Sequence, residues 1–319
     1  MSTPLVKLLD APVALTWLDP VAAKIADAWR AALPRSVKDA LHGVWLGHSL
    51  HAVLVLVPVG TWASAVVLDG IATAHQLAGG DEDVRRGVDD ASGALVATGL
   101  VGAVPAAMAG LTDYADQHPE QKRVTLVHAS ANLAGIALFA ASLVQRGRGR
   151  VGSARALALV AMAANSAGAA LGSHLTYRWA SQANHTQHVP HVTPSGWYPV
   201  ARHDDLAEGS PVQVRVGETG VVLVRRGERV FALADVCSHL SGPLSGGEVV
   251  VEKGRDCIVC PWHQSTFALE TGSVVHGPAL SPQPVFDVRV VDGGVQVRLR
   301  ELPGVASPPP VEGAVDDAA

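Results

Sequence analysis

Four stretches of this chain, 40–68, 91–112, 124–145 and 156–177, contain no Asp, Glu, Lys or Arg. A helix needs about 20 apolar residues to cross a bilayer, and each stretch is long enough. Charges bound them: Asp39 and Asp69, Asp90 and Asp113, Arg123 and Arg146, Arg155 and Arg178. Small residues crowd the second and fourth, as in Ala106-Ala107-Met108-Ala109-Gly110 and Ala167-Gly168-Ala169-Ala170. Such residues let membrane helices approach closely. The pattern predicts an all-α four-helix transmembrane bundle over 40–178. Charged residues are only 17% of the chain, in keeping with a membrane protein. The net charge of −5 gives no basic footprint for nucleic acid.

Upstream, Asp10 and Asp19 interrupt the first apolar stretch, which argues against a cleavable signal peptide. Leu18, Val21, Ile25, Ala28, Trp29 and Leu33 fall at helical spacing. They predict an amphipathic helix in the segment 1–39, lying on a membrane surface or packed on the bundle. Residues 179–194 read as a polar, solvated linker with His185, His188 and His191. From Trp197 short alternating apolar runs appear, Val212–Val216, Val221–Val224, Val230–Leu233, Val249–Val251, Val285–Val291 and Val295–Leu299. They predict a small all-β antiparallel domain over 195–302. The Pro-rich, acidic tail 303–319 reads as disordered.

Within the β segment stand Cys237-Ser-His239 and Cys260-Pro-Trp-His263. Each pair is short enough to sit on one loop. Two thiolates can hold one iron of a [2Fe–2S] cluster while two imidazoles hold the other, which raises the reduction potential. Zinc also accepts two Cys and two His, but C-x-H is not the usual finger spacing. The third cysteine, Cys257, implies no disulfide framework.

With Gly242-Pro243, Thr271-Gly272 and Gly277-Pro278-Ala279, the span 195–302 resembles a Rieske domain. The resemblance implies Cys237, His239, Cys260 and His263 as cluster ligands and a loop at Pro278 that shields the cluster. Respiratory-type members carry an extra cysteine pair that forms a disulfide between the two ligand loops. Gly242 and Trp262 stand in those places here, so the domain is more similar to Rieske ferredoxins. High-potential members also carry a Ser and a Tyr hydroxyl after the second His. Ser265 is present and Phe267 replaces the Tyr. The expected potential is in the lower or middle part of a range of about −150 to +300 mV. Ser265, Trp262 and Pro278 are therefore the candidate tuning residues.

The first apolar stretch carries His48 and His51, the third His128 and the fourth His174. Tracing the chain back and forth puts all four in one leaflet, on the face where the β domain emerges. Ionisable groups inside a membrane are functional candidates by default. Hydrogen bonding to Asn132 or Asn165 is the plain alternative. Facing histidines also suit a haem b iron or a quinone head group. Residues 41–177 resemble a four-helix bacterial membrane domain of uncharacterised function (DUF2231-like), through Gly47-His48-Ser49-Leu50-His51, Pro58-Val59-Gly60 and Leu68-Asp69. Members usually have Pro after each of those histidines; Ser49 and Ala52 replace them.

The expected protein is a multi-pass bacterial membrane protein that passes single electrons between quinone or haem and a redox partner protein. The alternative is a redox sensor or assembly module with a membrane anchor and no turnover. A terminal oxygenase would need a large catalytic domain with its own iron site after the Rieske domain. Arginines and lysines near the helix ends divide six against six between the two faces, so orientation stays open. The lack of a twin-arginine signal before the domain leans to a cytoplasmic Rieske domain.

Overall fold

The computed structural model describes residues 4–315. Two compact units emerge: Met1–Pro34 with Ser49–Ser181, and Arg35–His48 with Gln182–Ala319. Helices α1 (Pro4–Asp10) and α2 (Asp19–Ala32) open the first unit, and α3 (Arg35–His42) belongs to the second. The bundle follows as α4 (Leu50–Leu54), α5 (Leu56–Leu77), α6 (Glu82–Ala115), α7 (Pro119–Gly147) and α8 (Val151–Trp179). Four spans, Leu50–Leu77, Glu82–Ala115, Pro119–Gly147 and Val151–Trp179, are long and apolar enough to cross a membrane. Leu56, Val101, Leu133 and Leu159 remain exposed on them, as lipid-facing side chains do.

The helices differ from the charge-free stretches at both ends. The first stretch starts at 40, yet the crossing helix starts at Leu50. Gly43 and Gly47 adopt positive φ (89° and 72°) and break the helix there. Conversely, Asp69, Asp89, Arg146 and Arg155 lie inside helices. Arg146 reaches Asp69 at 2.5 Å, and Arg155 grips Asp89 through both carboxylate oxygens at 2.7 and 2.9 Å. Pairing makes these charges tolerable within helices that continue past the apolar stretches.

The amphipathic segment packs on the bundle. Ala22 and Ala26 of α2 are its buried residues, set against Tyr114, Ala115, Leu111 and Leu126. Val21 and Ile25, expected on the packed stripe, stay exposed. The smaller alanines allow closer approach, and Trp29 Nε1 donates to Thr112 Oγ1 at 3.0 Å.

Small residues also set the helix pairing. Asn132 lies over Gly168 and Asn165 over Gly135, reciprocally between α7 and α8. A deeper regularity joins α4 and α5 to α7. Asp69 and Arg146 are 77 residues apart, and the same separation relates His51 to His128 and Trp62 to Phe139. All three equivalent pairs meet. The Trp62 and Phe139 rings stack at 4.5 Å, and the His51 and His128 rings stand edge to face at 6.5 Å. The bundle is thus two similar helical hairpins, α4–α6 and α7–α8, related by a pseudo-twofold relation.

In the second unit, α9 (Val189–Val192) precedes β1 (Tyr198–Arg202), β2 (Val212–Val216), β3 (Thr219–Arg226), β4 (Arg229–Ala234), β5 (Glu248–Glu252), β6 (Arg255–Val259), β7 (Thr266–Ala268), β8 (Val274–His276), β9 (Val285–Val291) and β10 (Gly294–Leu299). Antiparallel pairing gives a six-stranded sheet, β1-β10-β9-β4-β3-β2, and a four-stranded sheet, β5-β6-β7-β8. Val222, Val224, Phe231 and Leu233 of the larger sheet and Ile258 and Phe267 of the smaller form one buried cluster.

Two expectations are corrected. The segment 179–194 is not a solvated linker: Val189 joins the β core, and buried Thr193 hydrogen-bonds Thr219 at 2.8 Å. The tail is ordered through 315. Ser195 N donates to Pro308 O, Val311 N to the Tyr198 hydroxyl, and Val315 bridges Trp197. Ala314 packs against the β core, while Val311 and Val315 stay exposed and are held through their backbones. Residues 316–319 lie outside the described residues.

Candidate functional site

Two loops carry the Cys/His pairs, one after β4 and one between β6 and β7. Their backbones close in the same way. Cys237 N donates to Gly242 O at 2.8 Å and Ser241 N to Cys237 O at 2.9 Å. In the second loop Cys260 N donates to Ser265 O at 2.8 Å and Gln264 N to Cys260 O at 3.0 Å. The fifth residue of each loop, Ser241 or Gln264, takes a positive φ of 65° or 62°. Two non-glycine residues in the left-handed region mark loops held by their surroundings.

This closure turns amide groups onto the sulfurs. The N–H groups of His239 and Leu240 point to Cys237 Sγ, and those of Trp262 and His263 to Cys260 Sγ. The Cys237 thiol donates to the Cys260 sulfur, which pulls the Cys260 thiol down to about 7 and, with burial, pushes Cys237 up. The His239 and His263 rings lie 5.0 Å apart, nearly perpendicular. All four predicted ligands therefore converge. Two adjacent sulfurs with amide donors and two adjacent imidazoles form the donor set a [2Fe–2S] cluster requires.

Gly242 lies where a Cβ would stand 2.9 Å from Cys260 Sγ and 3.1 Å from the Trp262 indole. Packing of Trp262 on a bare Cα thus joins the two loops at the places where the respiratory-type pattern has its cysteine pair. Ser265 is fully buried, and its Oγ accepts from Ala279 N at 2.9 Å, tying the second loop to the loop at Pro278. Phe267 is fully buried in the core. His239 is 4% exposed, and a cleft of about 10 Å³ beside it is lined by Ser238, Pro278, Gln182 and Ala183. His263 is half-buried, between exposed Trp262 and Gln264.

Several supporting residues carried no sequence signal. Gln283 gives both amide hydrogens to Ala234 O and Val236 O and accepts from Ser238 N, pinning the first loop. Asp235 accepts from Ser245 N and Gln213 Nε2. From α3, Arg35 reaches Gln264 O and Thr266 Oγ1, while Asp39 accepts from His276 and Gly277 N. His185 N donates to Ser238 O. Only the completed fold brings these distant positions to the loops.

The membrane histidines do not form one group of four. His51 and His128 face each other. His174 is buried and bonds Asp10 through Nε2 at 2.8 Å, and that bond, with Arg178 nearby, holds the Asp10 carboxyl below its usual range. His48 is exposed and falls in the segment grouped with the second unit. The Asn132 partnership is present, with its Nδ2 lying 3.2 Å from His128 Nε2.

The Rieske [2Fe–2S] domain family matches residues 196–290, and a predicted membrane protein family (DUF2231) matches 47–184. The anthranilate 1,2-dioxygenase ferredoxin subunit of Burkholderia cepacia is 35% identical over 34% of this chain and 96% of its own length. Ferredoxin CarAc of Metapseudomonas resinovorans is 33% identical over 32% of this chain and 92% of its own. Among solved structures, the ferredoxin of carbazole 1,9a-dioxygenase from Nocardioides aromaticivorans matches 33% of this chain and all of its own at 31% identity, with a TM-score of 0.31. The chain belongs to the Rieske [2Fe–2S] family and joins that domain to a membrane domain of the DUF2231 family.

Proposed function

We propose that this protein is a membrane-anchored electron carrier in which Cys237 and Cys260 hold one iron of the cluster and His239 and His263 the other. The cluster exchanges single electrons between a membrane donor or acceptor, quinone or haem, and a soluble redox protein. The observation that carries this reading is the contrast between the two imidazoles. His239 is buried, whereas the half-buried His263 edge lies beside the exposed indole of Trp262. An exposed ligand edge beside an aromatic contact suits brief docking and short-range electron transfer. The similarity to dioxygenase ferredoxin subunits supports a protein partner of the oxygenase or reductase kind.

Inverted membrane vesicles containing the full chain provide the test. Quinol reduces the cluster, protease reaches the Rieske domain from the cytoplasmic side, and Trp262→Ala slows transfer to a soluble acceptor. A cluster that dithionite reduces but no quinol or membrane haem reduces would sink the membrane-donor reading.

The potential itself is predictable. A hydrogen bond to a charged acceptor is worth about 1.5 kcal/mol, and for one electron about 1.4 kcal/mol corresponds to 59 mV. Ser265→Ala therefore lowers the midpoint by roughly 60 mV, and Phe267→Tyr raises it once its hydroxyl reaches a cluster sulfur. Redox titration followed by EPR measures both. A wild-type midpoint near the top of the family range would contradict the assignment.

A further inference from the structure

The two hairpins of the bundle treat one histidine each in the same way. His51 Nδ1 lies 2.8 Å from Ala106 O, and its ring fills the space over Gly110. His128 Nδ1 lies 2.7 Å from Gly168 O, and its ring fills the space over Gly172. In both hairpins the carbonyl belongs to the residue four before the glycine, on the antiparallel neighbour. A ring whose Nδ1–H donates to a carbonyl has its lone pair on Nε2, the tautomer that metal-ligating histidines use. The repeat thus supplies two equivalent imidazoles with the same tautomer, and their centroids are 6.5 Å apart at 80°.

That separation selects the kind of ligand. With metal–imidazole bonds of about 2.0–2.1 Å, two rings trans on one ion have centroids about 6 Å apart. A quinone ring hydrogen-bonded between two imidazoles would hold them much farther apart. Among the described residues no group of three His, Cys, Asp or Glu side chains is placed to hold a metal ion. A bare zinc ion wants three or four protein ligands. A metal held here by two histidines must bring its other ligands along, and haem iron brings four.

We propose that His51 and His128 are the two axial ligands of one haem b bound on the pseudo-twofold axis of the bundle. The inference rests on the reading of the bundle as the cluster's membrane redox partner and narrows it from quinone or haem to haem. Each iron–Nε2 bond uses a lone pair, and each Nδ1 proton stays on its carbonyl, so binding releases no proton from the histidines. Asn132 gives up its contact with His128 Nε2 and keeps its 3.0 Å bond to the His128 carbonyl. His48 and His174 take no part.

The test uses the full chain purified in detergent and titrated with haemin, read by its optical spectrum. One haem binds per chain with the spectrum of a low-spin bis-imidazole centre. His51→Ala and His128→Ala each lose it, while His48→Ala and His174→Ala keep it. An unchanged Rieske EPR signal and monodisperse elution establish that the variants are folded. His51→Met retains haem with a raised midpoint, as Met/His ligation does, a change that a packing role would not produce. Haem binding unaffected by both alanine variants, or no stoichiometric binding at all, overturns the proposal. If quinol still reduces the cluster in that case, the carrier function stands without the haem.

Discussion

His239→Cys and His263→Cys each abolish the Rieske EPR signal. The signal arises because one iron has two neutral imidazoles while the other has two thiolates. Substituting one thiolate adds a negative charge beside the reducible iron. The change is towards the all-cysteine ligation of plant-type ferredoxins, whose potentials lie near −400 mV against about −150 to +300 mV for Rieske centres. A surviving cluster in either variant would therefore be reducible only by much stronger reductants, with a ferredoxin-like spectrum. His239→Cys has the harsher outcome, because His239 is 4% exposed and Ser238 beside it is bonded to Gln283 and Ser281. A Rieske signal that persists in both variants would show that the imidazole ligands lie elsewhere.

Arg146→Met destabilises the bundle by about 3–5 kcal/mol, the usual cost of leaving a buried charge without its partner. The Asp69 and Arg146 side chains are only 6% and 9% exposed, and Ser92 Oγ also donates to Asp69 at 2.7 Å. Removing the guanidinium leaves that carboxylate with one hydroxyl donor. The double change Asp69→Leu with Arg146→Met recovers most of the loss, since replacing both members of such a pair is often neutral. Thermal unfolding in detergent measures both. A single variant as stable as the parent would mean that this ion pair does not hold the helix ends together.

What the sequence revealed depended on how local the determinant was. The helices and the ligand loops were legible because their signals are contiguous: twenty-odd apolar residues, or a Cys and a His two or three positions apart. The second unit's edges were not. Residues 40–46 read as the start of a membrane helix because they lack charge. Yet their apolar content packs within the other unit, where Val44 and His42 border Gly277. Strands β1, β6, β7 and β8 were missed because they are short and carry polar residues such as Arg202, Asp256 and Thr266. Gln283 and Asp39 act through bonds to residues 45 and 238 positions away, and no local pattern encodes such distances. The helical repeat also escaped notice, because its two copies share chemistry at the meeting points rather than extended identity.

That repeat limits the ancestry of the membrane domain. Two identical hairpins associating as a dimer would set carboxylate against carboxylate, or guanidinium against guanidinium, where Asp69 now meets Arg146. Like charges so close and so dry repel strongly. The histidine level tolerates identical partners, but the charged level demands unlike ones. The opposed ends could take opposite signs only once the two copies were free to diverge from each other in sequence. Separately expressed halves should accordingly assemble with each other and not with themselves.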